Sequence, residues 1–276
     1  MRVWLFFIGC FIFSTGLACG VVDDTGQLVK LTHPARRIIS LAPDLTENLF
    51  AIGAGDNIVG VMRGSDYPIA AQKIQIVASY NSVDAETILA LHPDLIVAWS
   101  EERFAMQLKE LGIPVYLSHP RQLVDIPVTL QKLGCLVGKE VAAKYAADNF
   151  SRRLENLQKK YTYKKKVSLF YQVWPKPLMT ITKSSWIHDV VVLCGGKNLF
   201  ENLKGAAPEI DLEAVVFANP DVIIGSDLSL WQEWPQMMAV KKQHLFFIDP
   251  DLIARASPRL LDGAEVMCKE LNSVRN

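Results

Sequence analysis

The chain has 276 residues, half of them hydrophobic, which is enough apolar material for one or two packed domains and excludes disorder as the main state. Lys plus Arg and Asp plus Glu stand at 29 each, so there is no global basic field of the kind that holds nucleic acid or an anionic membrane surface.

Residues 1–18 open with Arg2, run apolar from Val3 to Phe13 and end in the small-residue stretch Gly16-Leu17-Ala18. That order predicts a secretory signal peptide cut after Ala18. The other reading is an uncleaved anchor, but Ser14, Thr15 and Gly16 interrupt a run shorter than the ~20 residues a span prefers. Cys19 follows the cut directly, and lipid attachment there stays open beside the favoured soluble, exported product, although Gly16 suits a lipobox poorly.

Export changes the meaning of the cysteines, because thiols pair in an oxidising compartment. Cys10 leaves with the leader. Cys194 and Cys268 each lie in or beside an apolar, helix-like stretch of the C-terminal half and form the candidate disulfide. Cys135, in "LGCLVG", reads as a small buried apolar residue that keeps its thiol.

From Arg37, "RIISLAPDLTENLFAIGAGDNIVGV" predicts a strand, a Pro turn, a helix opened by Asp44 or Thr46, a Gly stop and a second strand. "KVSLFYQV" followed by "SSWIHDVVVLCGGKNLF" repeats that order further on. A second repetition is closer still: "VDAETILALHPDLIVAW" (83–99) and "IDLEAVVFANPDVIIG" (210–225) match Asp84 with Asp211, Glu86 with Glu213, Pro93 with Pro220 and Asp94 with Asp221. Asp84 and Asp211 read as helix N-caps, and Glu86 and Glu213 as first-turn acids favoured by the helix dipole. The pattern predicts two β/α lobes, each with its own parallel sheet, at 19–138 and 164–276.

Between them, residues 139–163 carry Ala143, Ala146, Phe150, Leu154, Leu157 and Tyr161 at three- and four-residue steps, with no Gly or Pro from Glu140 to Tyr161. This is one long connecting α-helix, about 33 Å at ~1.5 Å per residue. Its polar face, with Arg152, Arg153, Lys159 and Lys160, reads as a solvated surface. The expected fold is therefore α/β: two lobes with parallel sheets joined by one helix, with a ligand cleft between the lobes.

The phrases "RIISLAPDLTE", "GSDYP", "DAETILALHPDLIVAW", "VLCGGKNLF" and "RASPRL", in that order and spacing, make the chain resemble the periplasmic solute-binding proteins of the helical-backbone, metal-chelate receptor type (class III). Within that type it is most similar to the cobalamin-binding receptors of bacterial ABC importers. The resemblance implies cobalamin as ligand, no cofactor, the permease subunits of an importer as partner, and a monomer.

It also implies roles for residues. Tyr80 and Trp99 match aromatic cleft positions, Gly64 stands where the family has a tyrosine before "SDYP", and "PDLIARASPR" matches a ligand-touching loop with Asp251, Leu252 and Arg255. Glu86 and Glu213 match the surface glutamates that dock onto arginine pockets of the two-fold permease. Met179 and Ala207 replace two family aromatics, and Trp174, Trp186 and Trp231 are the candidates to restore the lost area.

Rival functions fare less well. The histidines His33, His92, His119, His188 and His244 lack the spacing of a metal site, though His119 follows a strand and is placed to reach a ligand. Haem or a ferric siderophore is the stronger alternative, since Arg255 beside aromatics suits an acidic chelate. The sequence has no nucleophile elbow, zincin motif, P-loop or dinucleotide fingerprint, and Ser257 has no sequence context as a nucleophile, so an enzyme is not expected.

Overall fold

A computed structural model of the chain describes residues 19–100, 103–110 and 112–275; the expected leader, with its cleavage site, lies outside these residues. Two sheets carry the architecture. The first orders its strands Ser82–Val83, Ile76–Ser79, Ile58–Met62, Ile38–Ser40, Leu95–Trp99 and Val115–Ser118, parallel except for the short antiparallel edge Ser82–Val83. The second runs Gly196–Asn198, Val167–Gln172, Val222–Gly225 and Leu245–Phe247, all parallel. In both, the first strand of the unit lies inside the sheet with later strands on either side. Each sheet therefore has a topological switch point at its carboxyl edge, where ligands of open α/β sheets bind.

The repeated phrase has a structural reason beyond duplication. His92 (φ 46°) and Asn219 (φ 45°) are both left-handed residues at the end of a short helix, Ala85–Ala90 in one unit and Leu212–Ala218 in the other. The Pro that follows cannot continue a helix. Asp94 then accepts from Arg36 N and Arg37 N (2.8 and 2.9 Å), and Asp221 accepts from Ser168 N and Oγ (3.3 and 2.6 Å). Each aspartate ties the new strand to the start of its neighbour and so sets the register. Asp84 and Asp211 both occupy N-cap positions, but only Asp84 caps with its side chain, accepting from Thr87 N at 2.9 Å.

The connecting helix spans Glu140–Tyr161 and buries Ala143, Ala147, Phe150, Leu154, Leu157 and Tyr161. It lies against the preceding helix Asp125–Val137, which ends at Gly138 in the left-handed conformation (φ 65°). A Cβ on Gly134 would stand 2.2 Å from that of Ala143, so the two helices approach at a point where only glycine fits. The polar face is not wholly solvated: Arg153 reaches Asp262 (2.6 Å) and Glu265 (2.8 Å) on the C-terminal helix Leu260–Ser273. One continuous apolar core, running from Ile38 and Leu95 through Phe150 to Leu169 and Leu261, joins both lobes through this helix.

Among the described residues two disulfides are present. Cys194–Cys268 joins the end of helix Trp186–Leu193 to the C-terminal helix, as expected. The second corrects the reading of Cys135, which pairs with Cys19 and keeps no thiol. Cys19 begins an antiparallel hairpin, Cys19–Val22 with Leu28–Leu31, that packs on helix Asp125–Val137 and brings the two sulfurs together across 116 residues. The same bond occupies the sulfur that a lipid would need. Among the described residues no helix is long and apolar enough to cross a membrane.

Candidate functional site

Strand Leu95–Trp99 is buried up to its last residue, where Trp99 emerges at the carboxyl edge of the first sheet, 37% exposed. Facing it from the second lobe is Trp186, the first residue of helix Trp186–Leu193, whose N-terminus is capped by Ser185. The two indoles contribute to the wall of one cavity of about 540 Å³, shared between the lobes. Each is held by its N–H. Trp99 Nε1 donates to Asp44 Oδ1 at 2.8 Å, and Trp186 Nε1 donates to the carbonyl of Ile253 at 3.1 Å.

The remaining lining mixes apolar residues, among them Val173, Ile181 and Ile187, with polar and cationic ones, His119 and Arg121 from the first lobe and Lys183 and Ser184 from the second, and contains no carboxylate. A flat ligand fringed by hydrogen-bond acceptors is matched by such walls, aromatic area supplying contact and cations supplying orientation. A larger hollow of about 670 Å³ lies along the connecting helix between Leu123, Gln158 and Val192, but its walls are helix and loop residues and no strand end opens into it. The switch-point cavity is the better site. Among the described residues no group of three or more His, Cys, Asp or Glu is placed to hold a metal ion.

Helix Pro43–Ala51 underlies the whole arrangement. Its residues 44 to 49 are all buried, so this stretch presents no face to solvent, yet it carries two carboxylates one turn apart. Burying an ionised group is costly unless it is paired or hydrogen-bonded. Burial pushes the Asp44 carboxyl up to about 7, with the hydrogen bond from Trp99 opposing and the charge of Glu47 adding. Glu47 is instead saturated. Its Oε1 accepts from Arg255 and from Arg259, each at 2.9 Å, and its Oε2 accepts from the Ser257 hydroxyl.

Three of the phrases in the sequence thus meet: "APDLTE", "GSDYP" and "RASPR". Arg255 also donates to Asp66 (2.7 Å) and pairs with Asp251 (2.8 Å), while the guanidinium of Arg259 stacks over Tyr67 at 3.6 Å. Burial raises the cost of ionising Asp66, but the hydrogen bond and charge of Arg255 outweigh it and hold the carboxyl below its ordinary value. Two cations and two carboxylates, Arg255 and Arg259 with Glu47 and Asp66, therefore lock the last loop of the second lobe onto the first lobe, and Asp251 braces Arg255 from its own lobe.

Of the residues expected to bind ligand, Trp99 lines the cavity. Arg255 and Asp251 do not; they are spent on the interlobe cluster and on each other, and Arg255 is 9% exposed. Leu252 is half-buried, its carbonyl against Gly263. Gly64 takes φ 90° just after strand Ile58–Met62, near Pro43, and Tyr80 stands 84% exposed in the turn before Ser82. Neither Gly64 nor Tyr80 lines the cavity.

Among the candidate replacement tryptophans, Trp186 lines the cavity. Trp231 is buried on Phe170 and donates to Gln172, and Trp174, on a separate two-stranded hairpin next to the lining residue Val173, is not itself part of the lining. Ala207 does line the cavity. Glu86 and Glu213 are exposed first-turn residues of the two equivalent short helices and take no part in the cavity. Asp44 and Glu47 went unread as site residues. Their signal was the juxtaposition of acids with Leu45 and Leu49 in a helix that leaves no polar face.

The fold and the cleft are those of a solute-binding protein, and the chain belongs to the family described as periplasmic binding protein, which it matches over residues 38–252. More particularly, it is 33% identical over 258 residues to the vitamin B12-binding protein of Vibrio parahaemolyticus, covering 90% of this chain and 94% of that one. Its structure is similar to the crystal structure of the periplasmic vitamin B12 binding protein BtuF of Vibrio cholerae, with a TM-score of 0.82, 33% identity, and coverage of 88% of this chain and 99% of that chain. The periplasmic heme-binding protein RhuT of Roseiflexus sp. RS-1 shares the fold at 18% identity, with a TM-score of 0.75 and coverage of 88% and 100%.

Proposed function

We propose that this protein is a periplasmic receptor that captures cobalamin, or a closely related corrinoid, and delivers it to an ABC-type importer of the inner membrane. The observation that carries the reading is the cavity at the switch points, walled by Trp99 and Trp186 and fringed by Arg121, Lys183 and His119. Identity of 33% with a vitamin B12-binding protein over 90% of the chain supports it. The chain acts by binding without turnover, carries no cofactor of its own, and works as a monomer after removal of the leader at Ala18.

In this reading a corrinoid reaches beyond the cavity walls towards Tyr80, Gly64, Asp251 and Leu252, which do not line it, and towards Arg255, which exchanges part of its interlobe cluster for ligand acceptors. Glu86 and Glu213 meet two copies of an arginine pocket on the permease, which suits quasi-equivalent carboxylates on two repeated units. The cationic fringe also suits an acidic chelate, so haem or a ferric siderophore is the second reading. Parallel calorimetry with cyanocobalamin, haemin and a ferric siderophore separates them. One-to-one heat from cyanocobalamin alone supports the proposal, and binding of haemin without cyanocobalamin transfers the receptor to the second reading.

A further inference from the structure

We propose that Asp44 is a positioning residue of the ligand cleft, an oxygen of its buried carboxyl group fixing the Trp99 indole as the aromatic wall of the first lobe. The inference rests on the functional reading above and deepens it. Its geometry is specific: Asp44 Oδ1 lies 2.8 Å from Trp99 Nε1, and the carboxyl is 1% exposed whereas the indole it holds is 37% exposed. One end of the bond is anchored in the protein interior and the other stands at the ligand.

A merely helix-starting role does not account for this. An acid near a helix N-terminus is favoured on the surface, where it keeps its water. Asp44 has given up that water, and what it receives is the indole N–H together with N–H groups of its own first turn. Trp186, across the cavity, is held by the Ile253 carbonyl and needs no special side chain. Trp99 is the last residue of its strand, at the exposed carboxyl edge, where its ring is free to turn about two side-chain torsions unless something holds it. Preorganisation of that ring removes an ordering cost that the ligand would otherwise meet.

Glu47, one turn on, faces the same helix face but is engaged by Arg255, Arg259 and Ser257. One helix thus divides two tasks. Glu47 holds the lobes together, and Asp44 aims the aromatic wall.

The test compares wild type, Asp44→Asn, Asp44→Ala and Trp99→Phe by cyanocobalamin calorimetry and by the indole ¹H–¹⁵N resonance of Trp99 in the ligand-free protein. Asn keeps an acceptor oxygen without the charge, so Asp44→Asn is expected to bind within about threefold of wild type and to keep a shifted, bonded indole resonance. Asp44→Ala is expected to lose about tenfold in affinity, the size of one hydrogen bond, and to move the resonance to its solvent position. In an Asp44→Ala, Trp99→Phe double variant the losses should not add, since both changes break the same bond.

An unchanged resonance or unchanged affinity in Asp44→Ala overturns the proposal. If that variant does not fold, Asp44→Asn with a solvent-like resonance and full affinity overturns it instead. Failure of the wild type to bind cyanocobalamin sinks the functional reading separately; the same variants are then titrated with haemin, and absence of binding there removes the positioning role as well.

Discussion

Arg255, from the last loop of the second lobe, donates to Glu47 of the first lobe at 2.9 Å, and the two residues are 208 positions apart in the chain. Glu47 is almost fully buried, so removing it strands Arg255 and Arg259 beside a hole where their counter-charge had been. Glu47→Ala should cost about 3 kcal/mol of stability, the range for breaking a buried pair from one side. Glu47→Gln, which keeps hydrogen-bonding oxygen but not charge, should cost less. Urea unfolding followed by circular dichroism measures both, and a loss below about 0.5 kcal/mol for the alanine variant would contradict the clamp.

Asp44 gives the protein a pH dependence with a definite sign. Its carboxyl is raised from 3.8 to about 7 on folding, mainly by burial, so the folded state binds the proton more tightly than the unfolded chain. The protonated form is the favoured one. Stability from this group is present below about pH 4 and is lost as pH rises towards 7, by roughly 4 kcal/mol at the upper limit. Asp44→Asn should flatten the stability profile between pH 5 and 8 and be the more stable protein at pH 8. A steeper profile in the variant would reverse the assignment.

The disulfides predict a peptide map. Non-reducing digestion should yield Cys19 linked to Cys135 and Cys194 linked to Cys268. Each closed loop is long, and the chain-entropy model assigns roughly 4 to 5 kcal/mol to each bond. Cys194→Ala with Cys268→Ala should therefore lower the unfolding midpoint sharply in oxidising conditions and change little when reductant is present.

What was legible in the sequence was what neighbours in the chain decide. The connecting helix follows from its apolar spacing and its lack of Gly and Pro, and the two lobes follow from a repeated phrase whose turns need His92-Pro93-Asp94 and Asn219-Pro220-Asp221. Pairings between distant segments were not legible. Cys135 looked like a packing residue because nothing near it in the chain announces a hairpin at Cys19–Leu31. The phrases around Glu47, Asp66 and Arg255 were visible one by one, but only folding brings them together. Trp99 was found through the resemblance to the cobalamin receptors, since a tryptophan at the end of a buried strand suits ordinary packing equally well, and choosing Trp186 over Trp174 and Trp231 required the folded positions of all three.

Glu86 and Glu213 carry the prediction about transport. Both are exposed and neither lines the cavity. Changing both to Ala should leave cyanocobalamin affinity as it is and nearly abolish uptake into vesicles bearing the cognate importer. Close charge pairs at interfaces couple by about 1.5 to 7 kcal/mol. Added salt should slow association of the wild type more than that of the double variant. Unimpaired uptake would return both glutamates to the role of helix-start acids.

The central claim is that a corrinoid sits between Trp99 and Trp186, and titration of cyanocobalamin into wild type, Trp99→Ala and Trp186→Ala tests it most directly. The account predicts saturable one-to-one binding to the wild type and a loss of about 1 to 3 kcal/mol in each variant, in proportion to the apolar area removed from the cavity wall. Absence of binding by the wild type, or equal affinity in all three proteins, would contradict it.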